Sequence, residues 1–337
     1  MKKKVFILKN DRGGDLLISI KLISSLLNNS NDVTIFLSPF NHGFSFLFKK
    51  ALVKKINYNL NIFNKVYLLF FIFKNNFDEI YILTPKNFYF FLPFIFRKIK
   101  FFGVTVNGFK RYRPKTYLRK FLFKYIVISR QIINKKSSSD MQLGLIKDNT
   151  LIDTSYKNLD LPYLEDHISR YIPNNFLLVQ FKEVFFKKID LLDNNFSFFL
   201  NEINKKFENI ILFSDIEDTS SNKFFIKNFD FINCDIKEVH FKSKNPNIIY
   251  LHNVNVQNLF SLVEKSNNIL CPHGLLTHMA RFYKKKNLNL FNFIINDKSD
   301  LKHQKIAFSE WYKNMNIKFT FLNKNKVKTI KKILKSL

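Results

Sequence analysis

Only seven glycines occur in 337 residues, yet two stand side by side near the start, in "VFILKNDRGGDLLISIKLISSLL" (Val5–Leu27). Glycine belongs where a chain bends sharply or where its backbone comes close to a ligand. Gly13-Gly14 sits between Arg12 and Asp15, so a cation and a carboxylate flank bare backbone. Two readings of Asp15 stand open. It is either a carboxylate favoured by a helix N-terminus, worth a few tenths to about one kcal/mol, or a group facing a substrate that approaches the glycines. A helix start does not require two glycines, whereas close approach of a ligand does. Another glycine, in Pro272-His273-Gly274, follows the apolar run "NILC". A histidine beside a glycine at a strand end reads as facing a ligand rather than a core.

A third feature is electrostatic. From Arg97 to Lys136 there are thirteen Lys or Arg and no Asp or Glu, with aromatics interleaved. Three of the eight arginines, Arg111, Arg113 and Arg119, cluster here. The planar guanidinium fork suits phosphate and carboxylate groups, and a solvated lysine-biased face is the competing reading. The net charge of +29 carries less weight, because Lys, Asn, Ile and Phe are all abundant while Gly, Pro and Trp are scarce, the bias of an AT-rich genome.

These residues need a scaffold. Val5–Leu8 has the continuous apolar character of a buried parallel strand, and Leu16, Leu17, Ile20, Ile23, Leu26 and Leu27 recur at helical spacing. "NDVTIFLS", "FDEIYILT", "IKFFGVTV" and "YIVIS" supply further strands. The periodicity weakens between Gln131 and Asn175, then restarts with strands at "NFLLVQF", "NIILFS", "IIYL", "NILCP" and "NLNLF". Helices at "LDNNFSFFLNEINKKF", "NVQNLFSLVEKS" and "LLTHMARFYKK" separate them. Alternating strands and helices predict parallel α/β sheets, and the length suits two cores. The expected domains are 1–160 and 161–322, followed by a C-terminal helix at 323–337.

Several classes are excluded. An apolar content of 46% is too high for a disordered chain. Two cysteines, Cys234 and Cys271, make no disulfide framework and fit a reducing cytoplasm. The apolar start is too short for a secretion signal, and "VYLLFFIF" and "FYFFLPFIF" fall short of the ~20 residues that span a bilayer. The glycine loop matches neither G-x-G-x-x-G nor a P-loop. No Asp-x-Asp is present; Asp215-Ile216-Glu217 is the nearest carboxylate pair, and the histidines show no zinc spacing. No metal site is expected.

The two glycine turns together resemble glycosyltransferase family 9, the heptosyltransferase-like enzymes. There a strand leads into R-x-x-G-D and an apolar helix, which Arg12-Gly13-Gly14-Asp15-Leu16 follows with one residue fewer. The segment Val256–Phe291 is similar to the family's donor-site segment, with His278-Met279-Ala280 at H-x-A and Leu290-Phe291 at the closing Leu-Phe. The resemblance implies a GT-B architecture, two Rossmann-like domains facing a central cleft. It implies an inverting, metal-independent transfer of a sugar, a heptose in the type case, from a nucleotide-sugar co-substrate to a lipopolysaccharide-core or other cell-surface glycan. No cofactor is implied.

Under this resemblance Asp15 is the base, and Arg12, Gly13, Gly14, Arg111, Arg113 and Arg119 bind the acceptor. The donor falls to Pro272, His273, Gly274, Thr277 and His278, with Lys182, Lys187 and Lys188 as candidates for its phosphates. One departure stands out: where the family has Asp-Ser/Thr-Gly, this chain has His273-Gly274-Leu275. An anionic glycolipid acceptor implies a cytoplasmic protein peripheral to the inner membrane. The alternatives are a basic nucleic-acid-binding protein, for which no motif is present, and a non-catalytic nucleotide-binding relative.

Overall fold

The fold comes from a computed structural model, which describes residues 2–29, 32–107, 116–129, 138–146, 153, 155–182, 186, 194–214, 220–241, 247–272, 274–283, 288–295, 316–322, 333–335 and 337. They form two compact units that divide between Leu161 and Pro162.

The first unit runs β1 (Lys4–Lys9), α1 (Gly13–Ile18), α2 (Ile20–Asn28), β2 (Asp32–Leu37), a 3-10 helix (His42–Phe48), β3 (Leu52–Lys55), α3 (Ile62–Asn75), β4 (Glu79–Ile82), α4 (Asn87–Ile95), β5 (Lys100–Asn107), a second 3-10 helix (Thr116–Phe121), β6 (Lys124–Ser129) and α5 (Ser138–Leu143). Its strands are all parallel in the order β3-β2-β1-β4-β5-β6. One face of the sheet carries a core in which Phe6, Leu8, Ile80 and Phe101 meet α3 through Leu68, Phe71 and Ile72. The same core takes Tyr89, Phe90 and Leu92 from α4, and Leu118 and Leu122 from the second 3-10 helix and its exit. α2 and α5 pack together, joined by an ion pair between Lys21 and Asp140. Gly103 in β5 explains one of the few glycines: a Cβ there would lie 2.7 Å from Leu122 Cδ1 and 3.3 Å from Phe90.

The helix expected after the glycine pair is two pieces. Ser19 separates α1 from α2; its N–H bonds Leu16 O at 2.9 Å, and its hydroxyl reaches Asp15 O at 3.4 Å. A serine that bonds back to the carbonyl four residues earlier competes with the helical ladder and bends it.

The second unit runs α6 (Asp166–Ser169), β7 (Leu177–Phe181), α7 (Asn194–Asn204), β8 (Ile210–Ser214), α8 (Ser220–Asn228), β9 (Asp230–Asn233), β10 (Glu238–His240), β11 (Ile248–His252), α9 (Val256–Lys265), β12 (Asn268–Pro272), α10 (Leu275–Tyr283), β13 (Asn289–Ile295) and β14 (Asn316–Leu322). The order is β10-β9-β11-β8-β7-β12-β13-β14, parallel except for the β9–β10 pair. Phenylalanine fills the core: Phe181 stacks on Phe186 at 4.4 Å and meets Phe196 and Phe225 edge-on, each at 4.8 Å. Ile333, Leu334 and Leu337 pack on this core; residues 323–332 and 336 of the expected terminal helix lie outside the described residues.

Candidate active site

In a parallel sheet, ligands bind beyond the carboxyl ends of the strands, where successive connections leave for opposite faces. The first sheet has that point between β1 and β4, since β1 to β3 run outward one way and β4 to β6 the other. The Arg12–Asp15 turn leaves β1 at this place. Arg12 is the N-cap of α1 in extended conformation, so Gly13 and Gly14 are its first two residues and Asp15 its third. Without side chains on that first turn the backbone is open to close approach. Arg12 and Asp15 are both exposed.

Around them lies a charged set that the motif did not include. Lys9, the last residue of β1, is 3% exposed, and its ammonium meets Asp11 Oδ2 at 2.6 Å and Leu83 O at 3.4 Å. Burial pushes the Asp11 carboxyl above its ordinary range, Lys9 opposes that shift, and the negative charge of Asp15 adds to it. Just beyond β4, the buried Thr84 lies near the Asp11 side chain and slightly offsets the shift. Lys86 donates to Tyr58 O and lies over the Tyr58 ring, 4.4 Å from its centroid. Burial lowers the Lys86 ammonium to about 8, with Asp11 holding it partly back. Hydrogen bonds fix the loops. Asn10 donates to Asn57 O at 2.9 Å, Ser38 Oγ to Asp11 O at 2.6 Å, and Asn41 to Lys9 O at 2.7 Å. Arg12, Pro39, Phe40, Asn57, Tyr58 and Asn59 line a cavity of about 600 Å³ beside this set.

The second sheet has its reversal between β7 and β12, which pair directly. Lys182 follows β7 and Gly274 follows β12, and Lys182 Nζ lies 3.9 Å from where a Cβ on Gly274 would stand. Two residues far apart in sequence thus share one strand-end site. Thr277 is fully buried; its Oγ1 accepts from Gly274 N–H at 3.2 Å. This is one half of a capping box at the start of α10, by which Thr277 shapes the turn. Pro272 is buried at the end of β12, and His278 is half-buried with its N–H on Gly274 O at 3.3 Å.

The remaining expectations divide. Arg111, Arg113, Lys187, Lys188 and His273 lie outside the described residues. Arg119 is not brought to the Arg12–Asp15 turn. Its 3-10 helix leads into the first residue of β6, which pairs with Phe102 near the start of β5, at the amino end of the sheet. Among the described residues no three His, Cys, Asp or Glu side chains group as a metal site needs.

With this geometry in place, the likeness to solved structures has a physical meaning. A glycosyl transferase family 9 protein from Veillonella parvula has a TM-score of 0.62 at 11% identity, covering 95% of this chain and 86% of its own. ADP-heptose LPS heptosyltransferase II from E. coli has 0.63 at 10% identity, over 100% and 97%. The UDP-GlcNAc 2-epimerase of Methanocaldococcus jannaschii has 0.55 at 13% identity, over 99% and 91%. The chain has the GT-B fold. Its GT-B neighbours include the family that the two glycine turns resemble. No protein-family model and no curated protein matches the sequence itself. The charged set at the first GT-B sheet escaped sequence reading. Its one signal is Lys9, a cation closing an otherwise apolar strand, with Asp11 two residues on.

Proposed function

We propose that the protein is a glycosyltransferase that takes a sugar from a nucleotide-sugar donor held by the second unit and places it on a hydroxyl of an anionic glycan or glycolipid held by the first. The single observation that carries this reading is the coincidence of motif and topology. In each sheet, the residues that resemble family 9 stand at the carboxyl-end reversal, where a substrate has access to backbone and charge. Solved neighbours of the fold include enzymes named as heptosyltransferases, which makes a lipopolysaccharide-related acceptor the first class to try.

In this reading Asp15 accepts the proton of the acceptor hydroxyl as its oxygen attacks the anomeric carbon. The bond from that carbon to the diphosphate breaks from the opposite side, the configuration inverts, and the nucleoside diphosphate leaves. Lys182 and the α10 N–H groups beyond Gly274 hold the departing negative charge, so the scheme requires no metal. Arg12 and Lys86 hold the acceptor's anionic groups, with Tyr58 and Phe40 offering rings to a sugar face. Asp11 and Lys9, locked together, keep the turn in place.

The test is nucleotide release from a panel of nucleotide sugars with lipopolysaccharide-core acceptors, wild type against Asp15→Ala. Acceptor-dependent release that falls by roughly 10²–10⁴ in the variant supports the base. Release by neither protein, with nucleotide binding intact, would point to a non-catalytic nucleotide-binding protein.

A further inference from the structure

Twelve of the twenty large apolar side chains that stand exposed among the described residues lie between Ile62 and Tyr125. They form the outer layer of the first unit, because α3, α4 and the second 3-10 helix all turn their other sides into one core. On α3, Leu68, Phe71 and Ile72 are buried while Phe63, Phe70 and Phe73 are 78%, 62% and 74% exposed. A helix on a solvated surface carries polar residues there. This one is apolar on both sides, with Lys65 and Lys74 as its charges and no acid.

The layer is continuous. Phe91 and Phe94 of α4 stack at 5.5 Å, and Phe94 meets Phe121 edge-on at 5.9 Å. A groove of about 940 Å³ joins α3 to α4, with Phe73 and Ile95 on its walls and Arg97, Lys98 and Lys100 at its rim. Cations cover the rings: Arg97 lies 5.5 Å from the Phe94 centroid, Lys120 5.5 Å from Phe121 and Lys100 5.7 Å from Phe123. The groove's two acids are engaged, Glu79 by Lys3 at 2.7 Å and Asp78 by the Lys4 N–H at 2.8 Å. From Ile62 to Asn75 and from Asn87 to Lys100 no Asp or Glu occurs.

We propose that this face seats the protein on an anionic membrane surface. The α3 and α4 phenylalanines enter the boundary between headgroups and acyl chains, and Arg97, Lys98, Lys100 and Lys120 meet lipid phosphates. Large apolar area combined with basic residues, in helices too short to cross a bilayer, is the composition of an interfacial surface. The charge selects this occupant. Two copies packed through the face would set cation against cation with no acid to pair. The rings stand among the exposed aliphatic side chains Ile62, Val66 and Ile95, which add apolar area suited to acyl chains and nothing to base stacking. The acid-free basic stretch read in the sequence thus serves, in its described part, the amino end of the sheet.

The experiment is co-sedimentation of the full chain with vesicles of phosphatidylcholine alone or mixed with phosphatidylglycerol, at low and high salt, with size-exclusion chromatography alongside. It reads no sugar transfer, so the face stands or falls apart from the proposed activity. The mixed vesicles are expected to bind the protein. The double variant Phe70→Ser, Phe73→Ser should weaken that binding by roughly tenfold or more, Arg97→Gln with Lys100→Gln should reduce its salt dependence, and Phe198→Ser, exposed on the second unit, should change nothing. Binding that ignores the Phe70/Phe73 variant, or equal binding to phosphatidylcholine alone, would overturn the proposal. A dimer that this variant splits into monomers would overturn it too and assign the face to a second copy.

Discussion

Lys182 Nζ stands 3.9 Å from the position a Cβ on Gly274 would take, because the strands that end beside them, β7 and β12, are direct neighbours. That distance is ordinary van der Waals contact, so Gly274→Ala should unfold within about 0.5 kcal/mol of wild type. A methyl group there still occupies the space over which a diphosphate would rest. Calorimetric titration with ADP and UDP should show weaker nucleotide binding for Gly274→Ala, and a loss of roughly tenfold or more for Lys182→Ala. Unchanged affinity in both variants would remove this turn from the donor site.

Breaking the Lys9–Asp11 pair should destabilise the first unit strongly. Removing one member of a buried ion pair leaves an uncompensated charge and costs about 3–5 kcal/mol. Asp11→Ala is expected near the lower end of that range, since burial already disfavours its ionised form. Replacing both residues by apolar ones should cost far less than the two single changes added together. Urea unfolding of the four proteins, completed as a double-mutant cycle, checks this.

Lys86 gives a pH prediction with a definite sign. Its ammonium, lowered by burial to about 8, loses its charge as pH rises through that value. Binding of an anionic acceptor should therefore weaken above pH 8 in wild type and show no such step in Lys86→Gln. Stability runs the other way. The unfolded chain keeps this lysine protonated to about 10.4, so the burial penalty is full below pH 8 and is relieved between there and the unfolded value. Competitive acetylation read by mass spectrometry would give the midpoint, and Asp11→Asn should move it lower.

Gly103 tests the packing of β5. A valine there has to displace Leu122 and the Phe90 ring together, and overpacking of that kind costs about 1–3 kcal/mol. Thermal melts of Gly103→Val should show the lower Tm, with Gly144→Ala as a milder comparison.

The long apolar strands were legible because burial on both faces leaves a continuous run, as in Val5–Leu8 or Leu177–Phe181. Four strands were not. β3 is "LVKK" and β10 "EVH", short edges with no apolar run to read, while β14 and β9 are cut by polar residues. The glycine turns were legible as strand-to-helix turns because the composition makes glycine rare. Lys9, Asp11, Thr84 and Lys86 were not, because their meeting depends on β4 lying next to β1, which no local pattern reveals. The place of Arg119 was hidden for the same reason: its neighbours in sequence are basic, but the crossover into β6 carries it to the amino end of the sheet.

Among the described residues the outermost strands of the two sheets pair on one side only, which gives the lysine bias another meaning. A strand without a partner invites pairing between molecules, and lysine on such strands discourages it. β3 ends in Lys54-Lys55, β6 begins with Lys124, and Lys318 stands exposed on β14 with its ammonium 5.4 Å from the Phe291 ring centroid. A chain with 42 phenylalanines has every chemical reason to aggregate while it folds. Its surplus of positive charge acts as built-in colloidal protection, one that concentrated salt should strip away.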